Sequence, residues 1–75
     1  VADFAVILMY TTSHAIYAER VLRQAGVSAK LIPTPRHLSS DCGSALRIAA
    51  VDRARSEQAL TEAGVPFDRI EPLDE

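Results

Sequence analysis

The chain is poor in the residues that most small functional domains lean on. It has one cysteine, three glycines, two phenylalanines, two tyrosines and no tryptophan. A single cysteine cannot close an internal disulfide, so the simplest setting is a reducing cytoplasm, with the thiol as buried filler, ligand or reactive group. The glycines are scattered, which excludes a Gly-rich phosphate loop, and there is no serine-hydrolase elbow. One Cys and two His without ligand spacing exclude a recognisable metal site. With 75 residues the chain makes one small domain, residues 1–75, whose core has no room for an enclosed cofactor. The net charge is −2, and neither a basic face nor exposed aromatics on central strands can be found. Nucleic acid is therefore not expected as a partner. No apolar run approaches the roughly 20 residues that span a bilayer. The run Phe4–Met9 has no basic region before it and no small-residue cleavage site after it, so it does not read as a leader.

What is present reads as alternating short elements. Phe4–Met9 is apolar without alternation, as in a central strand buried on both faces, and Tyr10 can extend it. Ser13, or Thr12 before it, is the expected N-cap of a helix over His14–Ala25. Ala15, Ala18, Leu22 and Ala25 share one face of that helix, and Glu19–Arg23 is an i,i+4 ion pair. Gly26 closes it, with Val27 as the apolar contact behind. Ala29–Ile32 is a short edge strand ending at Pro33. Ser44–Ala49 is the next strand, with Leu46 and Ile48 on one face and Arg47 on the other. Asp52 is the expected N-cap of a second helix to about Ala63, closed by Gly64. Phe67–Ile70 is the expected last strand, followed by an acidic tail over Glu71–Glu75.

Two segments match. Ala18–Val27 and Ser56–Val65 are identical at five of ten positions, at an offset of 38. The same offset lays Ile7–Tyr10 over Ala45–Ile48. A repeated strand–helix–strand unit gives an α+β chain of ferredoxin-like β-α-β-β-α-β order. Right-handed crossovers then put both helices on one face of a four-stranded antiparallel sheet, with the first and third strands central.

Between the halves lies Pro33–Gly43, too long for an ordinary hairpin turn of two to five residues. The cysteine loop, about residues 33–44, holds the only thiol, Cys42, among Ser39, Ser40, Asp41, Gly43 and Ser44. That composition is typical of a surface, although a free cysteine is by default structural filler. Gly43 removes a side chain beside the sulfur. Arg36, His37 and Arg47 are the local positive groups able to favour a thiolate, and His37 can exchange a proton with it. Loop N–H groups with the Ser39 and Ser40 hydroxyls can form a nest for a small oxyanion.

The run Thr-Thr-Ser-His-Ala at 11–15, Leu-Ile-Pro-Thr-Pro-Arg at 31–36, and Leu-Ser-Ser-Asp-Cys-Gly-Ser-Ala-Leu-Arg at 38–47 resembles the small bacterial selenium/sulfur carrier-like family. The likeness extends over about residues 4–70. It implies that Cys42 bears sulfur or selenium, with Arg36, Ser39, Ser40 and Gly43 around it, and that the partners are donor and acceptor proteins. Edge strands could also pair two copies as a homodimer. A binding module without covalent chemistry, and a thiol redox sensor, stand as the alternatives.

Overall fold

The computed structural model describes residues 3–38 and 43–73. Four strands and two helices follow in order: β1 (Phe4–Leu8), α1 (Thr12–Gln24), β2 (Lys30–Pro33), β3 (Ser44–Ala49), α2 (Arg53–Ala63) and β4 (Arg69–Leu73). The sheet order is β2-β3-β1-β4, and every neighbouring pair is antiparallel. This is the ferredoxin-like β-α-β-β-α-β arrangement, with β1 and β3 central as their apolar sequences require. Ala15, Ala18 and Leu22 of α1 and Leu60 of α2 join one core with Ala5, Ile7, Leu46, Ile48 and Ile70. Both helices therefore cover the same face.

Helix α1 starts earlier than its polar run suggests. The N-cap is Thr11, in extended conformation, whose Oγ1 accepts from the His14 N–H at 3.0 Å. Three adjacent hydroxyls compete for that role. The choice falls to tertiary structure, because Met9 is wholly buried and the chain must leave the sheet at once. Asp52 does stand at the N-cap of α2, but its side chain makes no cap bond, and a 3-10 turn over Ala50–Asp52 leads into the helix.

The helix ends are where the two halves agree. Gly26 and Gly64 have φ of 83° and 71°. Val27 N–H donates to Leu22 O at 2.8 Å, and Val65 N–H to Leu60 O at 2.9 Å. The inner bonds, Gly26 to Arg23 O and Gly64 to Thr61 O, match too, at 3.1 and 3.2 Å. Both helices thus end in the same Schellman turn, which needs a left-handed residue. Ala25 sits at the C-cap and swings into solvent instead of joining the apolar face.

The offset of 38 holds for these ends but not for the strands. It would superpose Leu8 on Leu46. Leu8 faces the helix-free side with Val6 and Ala45, whereas Leu46 faces the helices with Ile7. Side chains alternate along a strand, so only an odd offset preserves the face.

Strand β4 covers Arg69–Leu73, not Phe67–Ile70. Its register is Leu8↔Arg69 through Phe4↔Leu73, so a strand stopping at Ile70 would leave half of β1 unpaired. Most of the supposed acidic tail is thus sheet. Pro72 is tolerated because β4 is an edge strand, and Arg53 Nη2 holds the Ile70 carbonyl at 2.9 Å.

Ser56 is fully buried at the place where the first half has Ala18, and its hydroxyl has no hydrogen-bond partner among the described residues. Ser56→Ala should raise stability by about 1 kcal/mol in urea unfolding, through better helix propensity and removal of an unsatisfied hydroxyl. Gly64→Ala should lower it by about 1 kcal/mol in the same assay, because alanine must take the left-handed conformation.

Candidate functional site: the β2–β3 loop

The edge strand β2 and the central strand β3 pair from Lys30↔Arg47 to Pro33↔Ser44. The connection between them, residues 34–43, is closed at its neck by Thr34 N–H donating to Gly43 O at 3.0 Å. Just inside the neck, Pro35 to Leu38 makes a turn, with Leu38 N–H donating to Pro35 O at 3.0 Å. The loop therefore begins as an ordered hairpin extension rather than a slack linker.

Leu38 gives the loop its direction. It is the one aliphatic side chain between Pro35 and Gly43. It packs on a second core formed by Val6, Leu8, Ala45 and Leu73, flanked by Phe4 and Ile32. That core lies on the sheet face opposite the helices. Val6 and Leu8 are 0% exposed there, although neither helix covers them. Leu38 thus folds the loop back against the helix-free face. Sequence reading passed over this residue. Its signal was available as a lone leucine amid prolines, charges and hydroxyls.

The candidate side chains fall into three groups. Arg36 and His37 sit on the Pro35–Leu38 turn and are exposed. Gly43 is exposed at the neck, and among the described residues a Cβ placed on it would meet nothing within 4 Å. Crowding by the described residues does not require glycine there. Arg47 stands apart. It is half-buried in β3, and its guanidinium lies 4.6 Å from the centre of the Phe4 ring, toward the end of β3 remote from the loop. Ser39, Ser40 and Cys42, together with Asp41, lie outside the described residues.

His14, at the start of α1, is half-buried. Its Nδ1 is enclosed without a hydrogen-bond partner among the described residues. Tyr10 and Tyr17 are both half-exposed at the surface, as rim residues would be.

The fold is thus that of a small ferredoxin-like plait with an extended connection between β2 and β3. The comparison with known families is more specific. Residues 4–72 match the family model described as "Putative Se/S carrier protein-like", and the chain belongs to that family. No match to a curated protein or to a solved structure was found. Family membership indicates a carrier-type role that involves transfer to a partner. Among the described residues, no helix is long and apolar enough to cross a membrane.

Leu38→Ala should cost about 1 kcal/mol, as expected for a half-buried leucine. It should also speed hydrogen exchange at the Thr34 amide, leaving Leu22 in α1 protected. Uniform acceleration at both amides would mean that Leu38 supports the whole fold rather than the loop.

Proposed function

We propose that Cys42 is the carrier position and that it accepts a sulfane sulfur, or selenium in its place, from a donor protein and passes it to an acceptor. The observation that carries this reading is membership of the carrier-like family over residues 4–72, in a chain with one cysteine. The ordered neck of the loop and the exposure of Arg36, His37 and Gly43 support it.

The chemistry needs little protein. The Cys42 thiolate attacks the outer sulfur of a donor persulfide. A new S–S bond forms at Cys42, the donor S–S bond breaks, and the donor leaves as a thiolate that takes up a proton. An acceptor thiolate then attacks the outer sulfur of the Cys42 persulfide and releases the Cys42 thiolate. Each step is an exchange at sulfur and consumes no oxidant. Selenium follows the same course with a selenium atom in the outer position.

Arg36 and His37 provide positive charge on the same loop, which favours the thiolate over the thiol. His37 can also hold the proton released on activation. Ser39, Ser40 and the neighbouring N–H groups are the candidate contacts for the charged outer atom, and Arg47 is the more distant cation. Gly43 leaves room for the partner's backbone beside the reacting sulfur.

Intact mass spectrometry tests the reading. After exposure to a desulfurase-type donor with limiting cysteine, the parent chain should gain the mass of one sulfur atom, and Cys42→Ser should gain none while its circular dichroism is unchanged. Equal modification of both proteins would sink the proposal. So would an unmodified parent whose thiol reacts freely with a small alkylating reagent. That second result would favour a binding module; a mixed disulfide or sulfenate in place of the persulfide would favour a redox sensor.

A further inference from the structure

Among the described residues five large apolar or aromatic side chains stay exposed: Tyr10, Ile16, Tyr17, Leu31 and Val51. All but Val51 belong to α1, to β2 or to the connection that leads into α1. Ile16 and Tyr17, 51% and 49% exposed, lie on the outer surface of α1, with Arg20 one turn on from both. Leu31, 40% exposed, pairs with Leu46 of the helix-covered core. It therefore projects from the sheet face that α1 covers, at the free edge beside that helix.

The second helix serves as an internal control. At the offset of 38 that superposes the helix ends, α2 has Ala54 in place of Ile16, Arg55 in place of Tyr17 and Gln58 in place of Arg20. Both helices cover the same sheet face and close in the same turn, yet α2 exposes no large apolar side chain. At the opposite edge of the sheet, Ile70 of β4 is buried on that face. Covering the sheet therefore does not call for Ile16, Tyr17 and Leu31 at the surface. Charge divides in the same way. Residues 11–38 hold four Lys and Arg, all exposed, and one carboxylate, Glu19, which Arg23 already holds at 3.2 Å. Residues 53–73 hold three Lys and Arg against four carboxylates.

We infer that the outer face of α1 and the adjoining edge of β2 are the docking surface for the transfer partner, which presents apolar side chains ringed by carboxylates. Tyrosine and arginine are the side chains that most often anchor protein interfaces. The basic setting selects an acidic partner and repels a basic one. The patch is continuous with the loop. Leu8, where β1 ends, pairs with Ala45 beside the neck, so Tyr10 and the first turns of α1 stand at the loop end of the sheet. Strand β2 runs from Leu31 into Thr34 at the neck itself. A protein seated here lies beside the loop it has to reach. The partner's role rests on the carrier reading, whereas the surface itself does not involve Cys42.

Amide NMR titration of the intact chain with three short peptides tests the inference: one of alternating Glu and Leu, one of Lys and Leu, one of Glu and Ser. The Glu/Leu peptide should give saturable shifts at Ile16, Tyr17, Arg20 and Leu31, with a Kd on the order of millimolar, and none at Ala54, Arg55 and Gln58. The other two peptides lack either the charge or the apolar body and should bind about tenfold more weakly. The double variant Ile16→Ala, Tyr17→Arg gives α1 the residues that α2 carries at the matching exposed positions. It should keep the parent's circular dichroism and weaken the Glu/Leu peptide about tenfold. No saturable shift on α1, equal shifts on α2, undiminished affinity in the double variant, or a control peptide that binds as tightly would each overturn the inference. Shifts of the same amides on diluting the free protein would also overturn it, because a second copy would then occupy the face. Cys42→Ser should bind the peptide as the parent does. A parent that binds the peptide but never gains sulfur removes the carrier reading alone; one that gains sulfur but does not bind removes the docking surface alone.

Discussion

The structure depends on burying β1 from both sides. Val6, Ile7 and Leu8 are consecutive and fully buried, and consecutive strand residues point to opposite faces. One helical layer can cover only one of those faces. The two helices dispose of Ala5, Ile7 and Met9, while Val6 and Leu8 need cover from elsewhere. Among the described residues no helix covers that second face. The β2–β3 loop takes part of that duty by laying Leu38 on the second core, and Leu73 of β4 takes another part. A surface loop is thereby tied to the centre of the sheet. Its length follows from this as much as from chemistry, since an ordinary hairpin turn could not return to the face of its own sheet.

That constraint explains which parts of the fold are legible in the sequence. The non-alternating run Phe4–Leu8 announces a two-sided strand, and the paired Ala-Gly-Val endings announce two helices closed in the same way. Those features are local, set by side-chain period and by the left-handed requirement of Gly26 and Gly64. The limits of β4 are not local. They are fixed by pairing with β1, whose five residues need five partners. The start of α1 is of the same kind: Thr11, Thr12 and Ser13 have similar capping chemistry, and burial of Met9 decides among them. The repeat misleads in one respect. Helix ends tolerate one fixed spacing, whereas strands obey parity, so a single offset cannot describe both.

The candidate site was legible in composition but not in geometry. Two prolines, a run of short polar residues and a lone thiol mark residues 33–44 as the candidate loop, and the neck bond from Thr34 to Gly43 shows that its base is built rather than slack. Arg47 illustrates the limit. In sequence it is five residues from Cys42 and reads as one of its positive neighbours. In the sheet its guanidinium stacks on Phe4, because β1 lies beside β3.

Strand β3 therefore has two distinct ends. Its first residue, Ser44, adjoins the loop neck, and its last, Ala49, pairs with Phe4 at the other end of the sheet. Central strands are the stiffest parts of a sheet, because they are hydrogen-bonded on both sides and here buried as well. Such a strand is a poor medium for large relative motion and a firm base for the loop that leaves its first residue. On the proposed reading a partner approaches that loop for sulfur exchange, and a fixed base helps to hold the exchanging atoms in line. The loop's own hold on that frame is Leu38, packed against Val6 and Leu8 of the central strand β1.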